Sequence, residues 1–194
     1  MKILALDLST NTGWAVIEDG RLVDKGVVGV QVVNFNTAKK PERAPEYPLN
    51  LLAASNRMAQ YVINLWVKYH PDFVVIENTQ LGRNRHSQRL LEWIHKDVLE
   101  ALNFYQIKPR YLEPSIWRCA LGLRMTKEEL KHNRQVKLGE AKGKITKKHL
   151  SVRFVNLTYG LNLLLKDNDI ADAIGLASAF ALMQGKSPGA SCST

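Results

Sequence analysis

The run Ile3-Leu4-Ala5-Leu6-Asp7-Leu8 constrains the fold most, because it is apolar on both sides of a strand yet contains a carboxylate. A strand with Ile3 and Ala5 on one side and Leu4, Leu6 and Leu8 on the other belongs in the middle of a sheet covered on both faces. Ser9 to Gly13 then reads as a turn and Trp14 to Ile17 as a second strand. Glu18-Asp19-Gly20 has hairpin chemistry, and Leu22 to Val33 reads as a third strand, so the chain opens as an antiparallel meander.

Beyond a polar loop from Asn34 to Pro48, the pattern alternates between helix and strand. Leu52, Met58, Val62, Leu65 and Trp66 recur at helical spacing within Leu49 to Tyr69, and Pro71 stops that helix. Phe73 to Ile76 is a short buried strand ending at Glu77, and the basic loop Gly82 to His86 leads into a helix from Ser87 to Asn103. Lys108 to Leu112 makes another strand, and Pro114 opens a short helix over Ser115 to Leu121. Helices are expected over Lys147 to Leu157 and Asp167 to Met183. The order predicts an α/β fold on a mixed five-stranded sheet, three antiparallel strands then two parallel additions, flanked by helices. With 194 residues, one domain is expected over residues 1–183, with a basic insertion near 124–146 and a flexible tail over 184–194.

Hydrophobic residues at 45% and charged residues at 23% exclude general disorder. No apolar run approaches the roughly 18 residues of a membrane span, and Met1 to Leu8 has no signal-peptide pattern, so a cytoplasmic protein is expected. Cys119 and Cys192 alone cannot build a disulfide framework or a cysteine metal site, which leaves oxygen ligands for any metal.

Lys and Arg outnumber Asp and Glu by 27 to 18, a net charge of +9 that favours polyanions. Residues 124–153 hold ten basic and three acidic residues, +7 in one stretch. An isolated basic run is equally well explained as a solvated helix face with a loose loop.

Four acids stand where a structural role is hard to find. Asp7 lies in one apolar strand, Glu77 closes another, and Asp169 and Asp172 share one helix face beside Ile170, Ala173, Ile174 and Ala177. Each has an ordinary alternative. Asp7 could cap the turn after its strand, Glu77 could pair with Arg83 or Arg85, and residues 167–172 could serve the helix dipole. Should all four converge, hard divalent cations are the natural neutralising partners, and two Mg²⁺ ions about 4 Å apart suit phosphodiester hydrolysis.

The segments Ile3 to Asp7 with Thr12-Gly13-Trp14-Ala15-Val16, Pro71 to Glu77, and Asp169-Ile170-Ala171-Asp172-Ala173 together resemble the RuvC family of Holliday junction resolvases, within the RNase H-like superfamily. The resemblance runs over residues 1–183. It implies an Mg²⁺-dependent endonuclease, with Mn²⁺ as a possible substitute. Such an enzyme makes paired nicks in four-way DNA junctions, leaves 5′-phosphate ends and acts as a homodimer. Asp7, Glu77, Asp169 and Asp172 match the family's metal-binding acids. Lys147 falls near a family lysine at the scissile phosphate, and Arg118 near a second basic position. Arg83, Arg85 and Arg89 follow Glu77 where similar proteins meet the junction centre, and Lys142, Lys144 and Lys148 extend the expected DNA-binding set. His149 stands close to Lys147 as a possible catalytic helper.

The chain departs from the family pattern in three places. Leu8-Ser9 replaces a common Pro-Gly, Thr79-Gln80-Leu81 stands where some relatives carry an aromatic wedge, and Leu91-Glu92-Trp93-Ile94-His95 is bulkier than the bacterial dimer contact. Two rival readings stay open: a broader nuclease of flaps and forks, and a non-catalytic nucleic-acid-binding module. A sugar-kinase phosphate loop at Asp7 to Gly13 would need a second lobe, for which the chain is too short.

Overall fold

In the computed structural model the described residues are 1–32, 46–78 and 85–185, with the side chains of 85–87 excepted. Five strands, β1 (Lys2–Asp7), β2 (Asn11–Glu18), β3 (Arg21–Gly29), β4 (Phe73–Glu77) and β5 (Arg110–Leu112), form one sheet in the order β3-β2-β1-β4-β5. β1 pairs antiparallel with β2 and parallel with β4, which makes it the central strand that its two-sided apolar pattern requires. β2 pairs antiparallel with β3, and β4 pairs parallel with β5. The sheet is therefore the expected mixed one.

Alternation along β1 divides the core in two. Leu4, Leu6 and Leu8 pack with Trp14, Val16, Val74 and Ile76 beneath α1 (Leu49–Tyr69) and α2 (Arg85–Phe104). Ile3 and Ala5 join Ala15, Ile17 and Val75 on the opposite face, under α3 (Pro114–Ala120), α5 (Lys147–Tyr159) and α6 (Asn168–Gly185). α4 (Lys127–Leu138) buries no residue. On the first face, Asp97 is buried and takes a 2.5 Å hydrogen bond from Ser55 Oγ, which joins α1 to α2 with a polar contact inside an apolar interface.

Several boundaries move from the sequence expectation. β2 begins at Asn11 rather than Trp14, because Ser9 and Thr12 make a tighter turn: Thr12 Oγ1 accepts from Ser9 N–H at 3.1 Å and donates to Ser9 C=O at 2.8 Å. β3 stops at Gly29, well short of Val33, and Val33 lies outside the described residues. α2 begins at Arg85, β5 contains only Arg110–Leu112, and α5 runs two residues past Leu157. A 3-10 turn over Leu165–Asp167 precedes α6, which begins at Asn168 and continues to Gly185, so helix occupies the first two positions assigned to a tail. The rest of that tail lies outside the described residues. Within the basic segment, Lys127–Leu138 folds as the solvent-exposed helix α4, and no described helix is long and apolar enough to cross a membrane.

Candidate active site

Strand parity places the first two acids. Asp7 shares the side of β1 that carries Ile3 and Ala5, and Glu77 shares the side of β4 that carries Phe73 and Val75, so both carboxylates face the layer that contains α6. β1 and β4 are adjacent and parallel, so the two acids stand side by side at the same end of the sheet.

Gly13 brings in the other two. It pairs with Asp7 across β1 and β2, and a Cβ built there would lie 1.9 Å from the backbone oxygen of Asp169. Only glycine allows the first turn of α6 to rest on the strand. Asp169 and Asp172 then project from that turn, and Asp172 is buried.

The four carboxyl groups feel one another. Burial holds Asp7 well above its ordinary 3.8, with Glu77, Asp172 and Asp169 pushing in the same direction and Arg118 opposing them. Burial also raises Glu77, against the pull of Arg118 and of the Trp117 hydrogen bond. Asp169 is raised by burial, while the nearby charge of Lys148 acts in the opposite sense. Desolvation and like charge thus both disfavour the ionised acids.

Arg118 partly neutralises this cluster. Its guanidinium lies 3.3 Å from Asp172 Oδ2 and 3.9 Å from Glu77 Oε2, and it sits over the Trp117 ring at 4.3 Å. Arg118, expected from the sequence at a DNA-binding position, therefore faces the acids. Trp117 Nε1–H donates to Glu77 Oε2 at 2.7 Å, and its ring lies against Gly175, where a Cβ would come within 2.8 Å. Among the described residues, no group of three or more His, Cys, Asp or Glu side chains is close enough together to hold a metal ion as it stands. Asp172 Oδ1 is nevertheless buried without a hydrogen-bond partner, as is Asn168 Oδ1 at the start of the same helix.

Other groups share the ordinary roles considered for these acids. Ser9 and Thr12 make the turn after β1. Asp167 Oδ2 accepts from Leu164 N–H at 2.9 Å within the 3-10 turn, while Asp169 stands in the first turn of α6 as the helix dipole favours. Glu77 pairs with Trp117 and Arg118; Arg83 and the side chain of Arg85 lie outside the described residues.

The expected basic residues divide. Lys147 and Lys148 are exposed in the first turn of α5, and Lys148 is the one whose charge acts on Asp169. Arg89 donates to Tyr47 Oη at 2.6 Å, so it is bound to the segment preceding α1. Lys142 and Lys144 are exposed on the return from α4 to α5. His149 Nδ1 accepts from Thr146 N–H at 3.1 Å and thus caps α5. Trp117 is the site residue that the sequence did not reveal, since an apolar neighbourhood marks a tryptophan as core and carries no sign of where its N–H points. Asn78 donates to Glu113 at the ends of β4 and β5, and the charge of Glu113 also reaches Glu77.

No protein-family model matches the chain, and no curated protein matches it. Solved structures do. RuvC of T. thermophilus in complex with a Holliday junction substrate superposes with a TM-score of 0.65 at 17% identity, covering 95% of each chain. A second Thermus thermophilus RuvC structure gives 0.62 at 18% identity, again over 95% of each chain. The yeast mitochondrial Holliday junction resolvase Ydc2 gives 0.52 at 14% identity, covering 94% of this chain and 78% of its own. Residues that agree at fewer than one position in five still build the same layered sheet, and the chain has the RNase H-like fold of the RuvC resolvases.

Proposed function

We propose that this protein is a divalent-metal-dependent, structure-selective DNA endonuclease that resolves four-way junctions. The observation that carries the reading is the convergence of Asp7, Glu77, Asp169 and Asp172 at one end of β1, β4 and α6, set by the β1–β4 register and by the contact of Gly13 with the first turn of α6. A protein that only bound DNA would gain nothing by gathering negative charge beside phosphates. The folds of two RuvC structures, one of them in complex with a Holliday junction, support the choice of substrate.

The donor set suits Mg²⁺, with Mn²⁺ as a substitute. It is all oxygen and anionic, and Asp172 Oδ1, buried without a hydrogen-bond partner, is free to act as a ligand. When bound, such ions polarise the phosphate and lower the pKa of an attacking water. The chain's own groups do the rest. Asp7, Glu77, Asp169 and Asp172 hold the reacting centre, and Trp117 fixes one oxygen of Glu77. Arg118 supplies a fixed positive charge between Glu77 and Asp172, and Lys147 and Lys148 present ammonium groups to the phosphate. The water oxygen bonds to phosphorus, the P–O3′ bond breaks, and the proton leaves with O3′. The products are a 5′-phosphate and a 3′-hydroxyl, ends that can be religated. Residues 1–183 act as one nuclease domain, and a homodimer with twofold symmetry places two such sites on opposing strands.

An end-labelled four-way junction incubated in Mg²⁺ beside a flap, a fork and a linear duplex tests the reading, with EDTA as control. Symmetric nicks confined to the junction are expected. Equal cutting of flap and fork would replace it with a general branched-DNA nuclease, and binding without cutting in Mg²⁺ or Mn²⁺ would replace it with a binding module. Asp7→Asn is expected to keep junction binding while abolishing cleavage, and normal cutting by this variant would overturn the assignment of the acids.

A further inference from the structure

α4 buries no side chain, yet it is held firmly. Thr126 Oγ1 accepts from Glu129 N–H at 3.2 Å while Glu129 Oε2 accepts from Thr126 N–H at 2.8 Å, and Gly139 closes the other end with φ 81°. The Asn133 amide pairs with both backbone groups of Ile145, each at 2.8 Å, which folds the return segment 139–146 back along the helix. His132 Nε2 lies 2.9 Å from Gly143 O, and Arg153 Nη1 reaches Glu129 Oε1 at 2.6 Å, tying the unit to α5. A helix with no buried residue adds nothing to the core, so its outer surface is the feature to explain.

That surface is cationic. Lys127, Lys131, Arg134, Lys137, Lys142 and Lys144 are all exposed, and none has an ion pair or hydrogen bond among the described residues. Of the three acids in this stretch, Glu129 is already committed to Arg153 and Thr126. Arg134, Lys137 and Lys144 line one open groove of about 400 Å³ with Leu130, Asn133 and Val136. Three cationic side chains around one groove attract a polyanion, whose binding releases its condensed counterions.

We propose that α4 and the return segment form a phosphate clamp for a duplex arm of the DNA, with Arg134, Lys137 and Lys144 as its cations. The identity of the polyanion rests on the endonuclease reading above. Lys144 lies three residues before Lys147, at most about 10 Å along an extended chain. At 3.4 Å per base step that distance is roughly three steps. The clamp thus holds backbone close to the first turn of α5, where the charge of Lys148 acts on Asp169. It lengthens the footprint along one arm without adding base contacts.

The test compares the intact chain with the triple variant Arg134→Ala, Lys137→Ala, Lys144→Ala, binding a long-armed four-way junction in EDTA across a salt series. Each lost phosphate contact reduces the slope of log K against log salt by about 0.9, so a reduction of roughly 2 to 3 is expected. Alanine keeps helix propensity, circular dichroism checks α4, and a matching Gln triple variant repeats the measurement with polar side chains. An unchanged slope in both variants overturns the clamp, as does an unchanged slope together with lost binding to anionic lipid vesicles. The two readings fail separately. A chain that cuts junctions with no change in slope loses only the clamp, whereas a reduced slope in a chain that never cuts keeps the clamp and loses the nuclease.

Discussion

Glu77 shows how much of the site depends on one neighbour. Its Oε2 takes a hydrogen bond from the buried Trp117 at 2.7 Å, and the Arg118 guanidinium approaches the same atom. Trp117→Phe removes the donor together with the outer indole atoms that pack on Gly175, so thermal unfolding is measured beside it to separate lost packing from the lost hydrogen bond. A hydrogen bond to a charged group contributes about 1.5–3 kcal/mol, so a fall of roughly tenfold or more in the cleavage rate is expected with junction Kd unchanged. Single-turnover kinetics beside equilibrium binding measures it. Gly13 is equally local: Gly13→Ala would drive a methyl into the Asp169 carbonyl, so cleavage is expected to fall sharply with the strand pairing intact by amide exchange.

At the scale of elements, three contacts set the site: β1 beside β4, α6 on β2, and α3 against α6 through Trp117 and Gly175. The opposite face carries the α1–α2 pair, in which Ser55 hydrogen-bonds the buried Asp97. Ser55→Ala would leave that carboxylate with only Lys96 and is expected to cost about 1–3 kcal/mol in chemical denaturation. The site itself should be unaffected at temperatures where the variant is folded. Most of these elements were legible from apolar periodicity: α1 over Leu49–Tyr69 and β4 ending at Glu77 stand where the pattern put them. The start of β2 was not, because the Ser9–Thr12 turn shortens the connection through side-chain hydrogen bonds that no periodicity records.

For the whole molecule, the acid cluster makes stability depend on pH. Asp7, Glu77 and Asp169 titrate above their ordinary 3.8, 4.5 and 3.8, so the folded state binds more protons than the unfolded chain once pH exceeds those values. Stability therefore falls as pH rises from about 4 through the raised values, and the deficit persists above them. In EDTA, Tm is expected to decline as pH rises above about 4, and Asp7→Asn is expected to flatten the decline. Mg²⁺ should raise Tm in the intact chain and do so less in that variant. Scanning calorimetry across pH, with and without Mg²⁺, measures all three effects.

The residue order by itself determined the α/β class, the central place of β1 and the four suspect acids, because burial on two faces and a carboxylate in an apolar strand are properties of local sequence. It also located the excess positive charge over residues 124–153. Tertiary structure alone decided that Asp7 and Glu77 share a sheet face with α6, since that depends on which strands pair and on the parity of their register. It turned Arg118 toward the acids, aimed the Trp117 N–H at Glu77 and braced α4 through Asn133, because each of these contacts joins residues whose separation in the chain carries no periodic signal.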